Sequence, residues 1–308
     1  MFKIDEYLSL LRSEKLKRAV RIQSEIIRHS RNFLKQKGFI EILPVIISPI
    51  TDPLTDYRIR GEIECYGFKY QITKSMIFHK QISLLSVPRI FSFSPNVRIE
   101  PASRERSGRH LIEFVQLDIE MKEAGRDEIM QLGEGLLAHI VENIKANCEP
   151  DLEFFHRDLK IPEQPFKKIS YQEALRRYGT DYEIELSKRA AEPIWILDFP
   201  IEGREFYDRE YSDQSGILVD MDLIYPEGYG EALSGGEREY QYEKIKKRIE
   251  MKEIGLKAYE IYLKFAEKGL FPSAGFGIGI ERLTRYICGL SHIEETRMFA
   301  KLPGVLGL

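Results

Sequence analysis

The stretch that most constrains this chain runs from Val97 to Met121, VRIEPASRERSGRHLIEFVQLDIEM: two segments of period two joined by a loop holding Arg104, Arg106, Arg109 and His110. Successive side chains of a strand point to opposite sides, so alternation puts Arg98 and Glu100 on one face and Val97 and Ile99 on the other. The return segment separates Val115, Leu117, Ile119 and Met121 from Phe114, Gln116, Asp118 and Glu120. Phe114 is the odd member of the charged face. A ring among carboxylates has little core to join, whereas a flat heterocycle such as adenine would bury its surface. Guanidinium forks in the loop match phosphate oxygens in a bidentate way that ammonium groups do not. The stretch therefore reads as a hairpin built to hold a polyphosphate, with a solvated, charge-rich hairpin as the plain alternative.

Composition narrows what such a hairpin serves. The 308 residues allow about two domains or one large α/β unit, and 43% hydrophobic residues supply a sizeable core. With 46 Lys and Arg against 49 Asp and Glu the formal charge is −3, so no global basic field draws the chain to nucleic acid or an anionic membrane. Cys65, Cys148 and Cys288 form no CxxC pair, which argues against a zinc site or disulfide framework and fits a reducing cytoplasm. No stretch approaches the ~20 apolar residues that span a bilayer, so no membrane is expected.

In chain order, Ala19, Ile22, Ile26 and Phe33 predict a helix from about Asp5 to Lys37, stopped by Gly38, and GFIEILPVIISP predicts a short strand reaching Pro44. Ile63 to Ile72 reads as a hairpin around Gly67, and a short helix starts at about Ser75. In that helix Lys80 falls on a largely apolar stripe with Met76 and Leu84, which is costly unless its ammonium meets an anion or snorkels to water. A helix is expected from Glu128 to Ala146, a loop from about 147 to 168, and a charged helical stretch without chemistry from Ile169 to Ala191. PIWILDFP reads as a buried strand. In ILVDMDLIYPEGYGEALSGGERE, Asp220 and Asp222 share a strand face and Glu231 follows the turn; two carboxylates on neighbouring strands can hold Mg²⁺, with substrate phosphates completing its shell. Gly235 and Gly236 permit a close backbone approach, and Arg238 lies just beyond. A long charged helix is expected over Glu237 to Lys268. AGFGIGIERL then gives a glycine-spaced strand, Gly275, Gly277 and Gly279, leading into a helix with Arg282; these glycines read as making room for a nucleotide.

VRIEP with RHLIEFVQLDIEM, and GFGIGIERL, resemble motifs 2 and 3 of the class II aminoacyl-tRNA synthetases of the aspartyl/asparaginyl group, with a motif 1-like helix, Gly and strand ahead of them. The resemblance covers nearly the whole chain from about residue 15. It implies an α+β fold, a mainly antiparallel sheet flanked by helices, in a single catalytic domain that dimerises through motif 1. It further implies that Arg98 and Arg282 are catalytic and that ATP is held by Arg98, Glu100, Arg106, His110, Leu111, Glu113, Phe114, Asp222, Glu231, Gly279 and Arg282. Asp222 and Glu231 would carry Mg²⁺. Ser75, Lys80, Gln116, Arg238 and Gly277 would bind L-aspartate, with Lys80 and Arg238 forming a doubly cationic pocket. Ile77 stands where the family uses a Gln to hold the α-amino group.

The family places an anticodon-reading barrel of roughly a hundred residues before its catalytic domain, and motif 1 here begins within the first forty residues. The chain thus resembles the archaeal asparagine synthetases related to asparaginyl-tRNA synthetase. The expectation is an AMP-forming ligase that activates aspartate as aspartyl-adenylate and passes it to ammonia, with tRNA not expected as a partner. The rivals are a truncated aspartyl-tRNA synthetase charging tRNA or another acceptor, and an inactive regulatory paralogue.

Overall fold

The N-terminal helical pattern is realised as two helices. The computed structural model describes residues 4–54 and 61–308, apart from the side chain of Arg106. Helix α1 (Ile4–Arg12) stops at Ser13, whose hydroxyl accepts from the Leu16 N–H at 3.2 Å and opens α2 (Glu14–Gln36); the cap satisfies one of the donors a helix start leaves unpaired. Gly38, at φ +79°, ends the segment as expected. The following strand is much shorter than predicted: β1 (Ile40–Glu41) stops before Pro44, and β2 (Ile47–Ser48) joins a separate small sheet with the hairpin β3 (Glu62–Cys65) and β4 (Phe68–Ile72).

Helix α3 (Ile77–Ser83) begins two residues after Ser75, whose Oγ accepts from the Ile77 N–H at 3.2 Å. Strand β5 (Arg89–Val97) ends where the sequence reading began its first strand. Beyond Val97 the Glu100 N–H turns back onto the Arg98 carbonyl at 2.9 Å, so Arg98 and Glu100 lie past the strand rather than on its face. A 3-10 helix (Ala102–Ser107) leads into β6 (Glu113–Lys122), and α4 (Arg126–Asn147) follows.

The expected loop over 147–168 contains α5 (Glu149–Phe154), started by Pro150 in its first turn with Glu149 and Asp151 beside it; fixed φ and acidic side chains both suit a helix N-terminus. The stretch read as one charged helix is β7 (Lys167–Ser170), α6 (Tyr171–Tyr178) and α7 (Tyr182–Arg189). After β8 (Ile194–Leu197) and β9 (Asp220–Tyr225), β10 (Gly230–Arg238) continues through residues expected to be helical, because its ladder to both neighbours runs on to Gly236 and Arg238. The long helix is then α8 (Tyr242–Met251) and α9 (Glu260–Gly269), parted near Gly255 at φ +82°. Strand β11 (Ser273–Gly279) and α10 (Ile280–Cys288) end the set.

Among the described residues eight strands form one sheet in the order β1-β5-β6-β11-β10-β9-β8-β7, antiparallel except at its two edges, where β1 joins β5 and β7 joins β8 in parallel. Period-two alternation then sorts the sheet cleanly. Leu117, Ile119 and Met121 of β6, Ala274, Phe276 and Ile278 of β11 and Met221 and Leu223 of β9 enter the main core with α2, α4 and α10. The opposite face carries Gln116, Asp118 and Glu120, and the register sets them against Gly279, Gly277 and Gly275. No helix among the described residues is long and apolar enough to cross a membrane.

These glycines have different tasks. A Cβ on Gly275 would lie 2.1 Å from Glu120 Oε2 and 2.2 Å from the Ile119 carbonyl, whereas one on Gly279 would meet nothing closer than 3.7 Å. Backbone cannot yield as a side chain can, and overpacking of this kind costs ~1–3 kcal/mol or more. Gly275→Ala should therefore lower the unfolding free energy from urea titration clearly while Gly279→Ala leaves it within ~0.5 kcal/mol of the parent; equal values for the two variants would refute the steric assignment.

Candidate active site

Two adjoining cavities open on the glycine-lined face of the sheet and share Arg98, Gln116, Glu231 and Gly277 as walls. The first also has Glu100, Arg104, Arg109, His110, Leu111, Phe114, Gly279, Glu281 and Arg282 in its lining. It gathers most of the residues expected to hold ATP. Arg98 stands between the two: its Nε donates to the Lys74 carbonyl at 3.1 Å, and its guanidinium carbon lies 5.1 Å from the centre of the Phe114 ring. One face of that ring is thereby fixed by a cation, and the ring contributes to the cavity wall.

The basic loop folds inward. Arg109 is ion-paired to Glu183 of α7, in the stretch where the sequence showed no chemistry; burial alone would lower the Arg109 pKa, but Glu183, Glu231 and Glu100 raise it. Arg282 pairs with Glu231 at 3.1 Å. Burial tends to raise the Glu231 pKa, and Arg282, Arg109, Arg204 and Arg98 together bring it below the ordinary value. The cavity thus holds Glu231 ionised among arginines.

His110 is neutral here. Ser107 Oγ–H donates to the Arg104 carbonyl at 2.6 Å, so the same oxygen accepts from His110 Nδ1–H at 2.5 Å, and Nε2 is left to accept from Arg104 Nη1 at 3.3 Å. Burial, then Arg282, Arg109 and Arg104, push its pKa down to about 3. His110 therefore orients Arg104 rather than offering a positive charge of its own.

Two expected ATP residues with described side chains, Glu113 and Asp222, do not line this cavity. Glu113 turns away to Arg297 and to Lys301, the latter at 3.0 Å, because β6 starts at this residue and the C-terminal segment passes beside it. Arg106 lies outside the described side chains. In exchange Glu281, which the sequence reading passed over, accepts the Val115 N–H at 3.1 Å on both oxygens and pairs with Arg297 at 2.9 Å.

The second cavity takes in Ser75, Lys80, Gln116, Gly277 and Arg238, the whole expected amino-acid set, with Ile77 also in its wall. It is not doubly cationic in net charge. Lys80 Nζ lies 3.0 Å from Asp118 Oδ1 and 3.7 Å from Glu120 Oε2, while Arg238 reaches Glu120 at 3.2 Å and Asp208 at 3.0 Å. Two buried cations face three buried carboxylates, as the cost of burying unpaired charge requires. Asp118 and Glu120 were legible from their strand face. Asp208 was not, because it arrives from the irregular segment between β8 and β9.

The expected Mg²⁺ carboxylates are each held by an arginine. Asp222 Oδ2 lies 2.8 Å from Arg204 Nη2, and Glu231 meets Arg282. Burial, opposed by Arg204 and reinforced by Glu231, raises the Asp222 pKa to about 6. Among the described residues no group of three or more metal-ligating side chains is present. Asp222 Oδ1 is nonetheless buried without a hydrogen-bond partner, which suits a hard cation taking one or two carboxylate oxygens and the rest from water and phosphate.

This geometry can be set beside known proteins. Residues 4–303 match the tRNA synthetases class II (D, K and N). The chain belongs to that family. It is an enzyme of the class II aminoacyl-tRNA synthetase fold, a ligase built on a mixed sheet flanked by helices. It is similar to the asparagine–tRNA ligase of Koribacter versatilis (strain Ellin345), 30% identical over 313 residues that span 94% of this chain and 70% of that protein. The asparaginyl-tRNA synthetase of Pyrococcus horikoshii, complexed with asparaginyl-adenylate, superposes with a TM-score of 0.88 at 26% identity over 96% of this chain and 71% of its own. The aspartyl-tRNA synthetase from Entamoeba histolytica gives 0.79 at 25% identity over 97% and 61%.

The neutral His110 makes a pH prediction. In the unfolded chain a histidine takes up its proton near pH 6.5, and in the fold only near 3, so the unfolded state binds more protons across that window and stability falls as pH drops through it. One such group contributes at most about 1.4 kcal/mol per pH unit. His110→Asn should flatten the decline of the melting temperature between pH 7 and pH 5; parallel declines in parent and variant would show that His110 is not held neutral.

Proposed function

We propose that this enzyme activates aspartate with ATP as aspartyl-adenylate, and the observation that carries this is the shared wall of the two cavities at Arg98. A nucleotide along the first cavity and an amino acid in the second bring a carboxylate and an α-phosphate to the same guanidinium. An oxygen of the aspartate α-carboxylate attacks the α-phosphorus, the bond to the bridging oxygen breaks, and pyrophosphate leaves with that electron pair. Arg98 meets the charge growing on the α-phosphate, and Arg282, Arg104 and Arg109 meet that on the leaving group. Adenine would rest on Phe114. Mg²⁺, held by Asp222 and Glu231, would supply further positive charge to the phosphate oxygens. No side chain need act as nucleophile.

Aspartate is preferred over asparagine in this reading because Lys80 lies in the amino-acid cavity, where a substrate carboxylate would compete with Asp118 and Glu120 for its ammonium. For the acceptor, the relatives favour tRNA over the ammonia expected from the sequence: those described above are named as tRNA ligases and synthetases. One observation keeps ammonia as a second reading. The basic loop, a short patch of the kind an RNA acceptor stem would need, has Arg104 and Arg109 committed to the nucleotide cavity and to Glu183. Exposed Ile40, Leu43 and Ile46 around β1 support a second copy of the chain as partner there.

Exchange of labelled pyrophosphate into ATP should depend on aspartate and Mg²⁺, exceed that with asparagine, and fall by ~10² or more in Arg98→Ala and in Arg282→Ala, the loss usual for one preorganised donor. Exchange indifferent to aspartate, or untouched by both substitutions, refutes the adenylate reading. With tRNA and with an ammonium salt supplied in turn, aspartyl-tRNA is the expected product; asparagine with AMP and no charged tRNA transfers the assignment to ammonia.

A further inference from the structure

Arg204 lies in the wall of the amino-acid cavity and had no part in the sequence reading. It follows a 3-10 turn (Ile201–Gly203), and its guanidinium carbon is 3.8 Å from the centre of the Phe199 ring. Its nitrogens are divided between two carboxylates on the same face of β9: Nε donates to Asp220 Oδ2 at 2.8 Å, and Nη2 lies 2.8 Å from Asp222 Oδ2. Nη1 is 3.4 Å from Ser234 Oγ, directly across the ladder from Asp222.

The two carboxylates are not equivalent. Both oxygens of Asp220 are taken, Oδ1 by the Phe199 N–H at 3.0 Å and Oδ2 by Arg204 Nε, and the residue is 1% exposed. It is an anchor with both oxygens already engaged. Asp222 is 9% exposed, and among the described residues its Oδ1 has no hydrogen-bond partner and its only ion pair is with Arg204 Nη2. Loss of the Arg204 contact would leave Asp222 with the neutral Ser234 hydroxyl and no cationic partner among the described residues, while Arg204 stays seated on Phe199 and held by Asp220.

We propose that Arg204 is a built-in competitor for the metal carboxylate: it occupies Asp222 until a divalent cation displaces it, and Asp220 is the anchor that retains it afterwards. Arg204 is a positioning residue here, acting through Asp222. The inference rests on the reading of Asp222 as a metal ligand. Its physical basis is reciprocal coupling, since two cations that need one carboxylate oxygen weaken each other by the same factor. The arrangement keeps buried Asp222 compensated when no cation is bound, and it releases a guanidinium donor on the cavity wall when one is.

The test uses the full-length protein and Mn²⁺ alone, with free Mn²⁺ followed by electron paramagnetic resonance. Arg204→Gln should bind Mn²⁺ about tenfold more tightly than the parent, within the range usual for coupled ligands. Asp220→Asn, which keeps an acceptor for the Phe199 N–H but loses the anchoring charge, should bind it more weakly, because Arg204 then has Asp222 as its main partner. The second variant preserves the test if Arg204→Gln does not fold. Unchanged or weaker Mn²⁺ binding in folded Arg204→Gln, or unchanged or tighter binding in Asp220→Asn, overturns the competition. Asp222→Asn separates the two ideas: if it leaves Mn²⁺ binding intact in the parent and in Arg204→Gln, the metal assignment itself is wrong.

Discussion

The antiparallel register of β6 against β11 is the constraint on which the rest depends. It sets Gln116, Asp118 and Glu120 opposite Gly279, Gly277 and Gly275, so three polar side chains face a strand that presents no side chains on that face. A slip of one residue would turn the carboxylates into the core and Leu117 and Ile119 into the cavity, which the buried aliphatic face forbids. The empty strip beside the carboxylates becomes the floor of both cavities, and the tightest point, Gly275, is where Glu120 packs.

Charge compensation organises what stands on that floor. Glu120 links Lys80 and Arg238, Asp118 takes the other side of Lys80, and Asp208 takes the other side of Arg238. The first cavity inverts this balance: Arg98, Arg104, Arg109 and Arg282 line it, Arg282 paired with Glu231 and Arg109 with Glu183. The anion-hungry end and the acid-rich end meet at Arg98 and Gln116, where Gln116 Oε1 accepts from Asn96 at 2.7 Å.

Fixing so many charges at close range has an energetic cost that the fold offsets elsewhere. The sheet's other face is an uninterrupted apolar layer with α2, α4 and α10, and a second cluster of Phe78, Phe206, Tyr207, Tyr259 and Tyr262 backs the amino-acid cavity. Tyr207 extends from that cluster to donate to Asp52 at 2.9 Å, and Tyr262 donates to Gln81 at 2.8 Å. Rigid aromatic packing thus holds the polar groups behind the cavity wall, so that they need little reorganisation when a ligand arrives.

The sequence by itself determined which residues are chemical and which are core. Period-two alternation in 114–121 and 273–279 separates the two faces without any knowledge of neighbours, because a strand's side chains must alternate. Spaced arginines, Lys80 on an apolar stripe and the glycine series were legible for the same local reason. Where a pattern was weak, local reading failed: the strand end at Val97, the short helix at 149–154 and the continuation of β10 into Arg238 were decided by ladder partners distant in the chain. Charge pairing was decided by tertiary structure alone. Glu183 on Arg109, Asp208 on Arg238, Arg204 on Asp222 and the turning of Glu113 to Arg297 and Lys301 join residues from 18 to 188 positions apart. Coulomb interaction depends on distance in space and on burial, and neither is written in the order of residues.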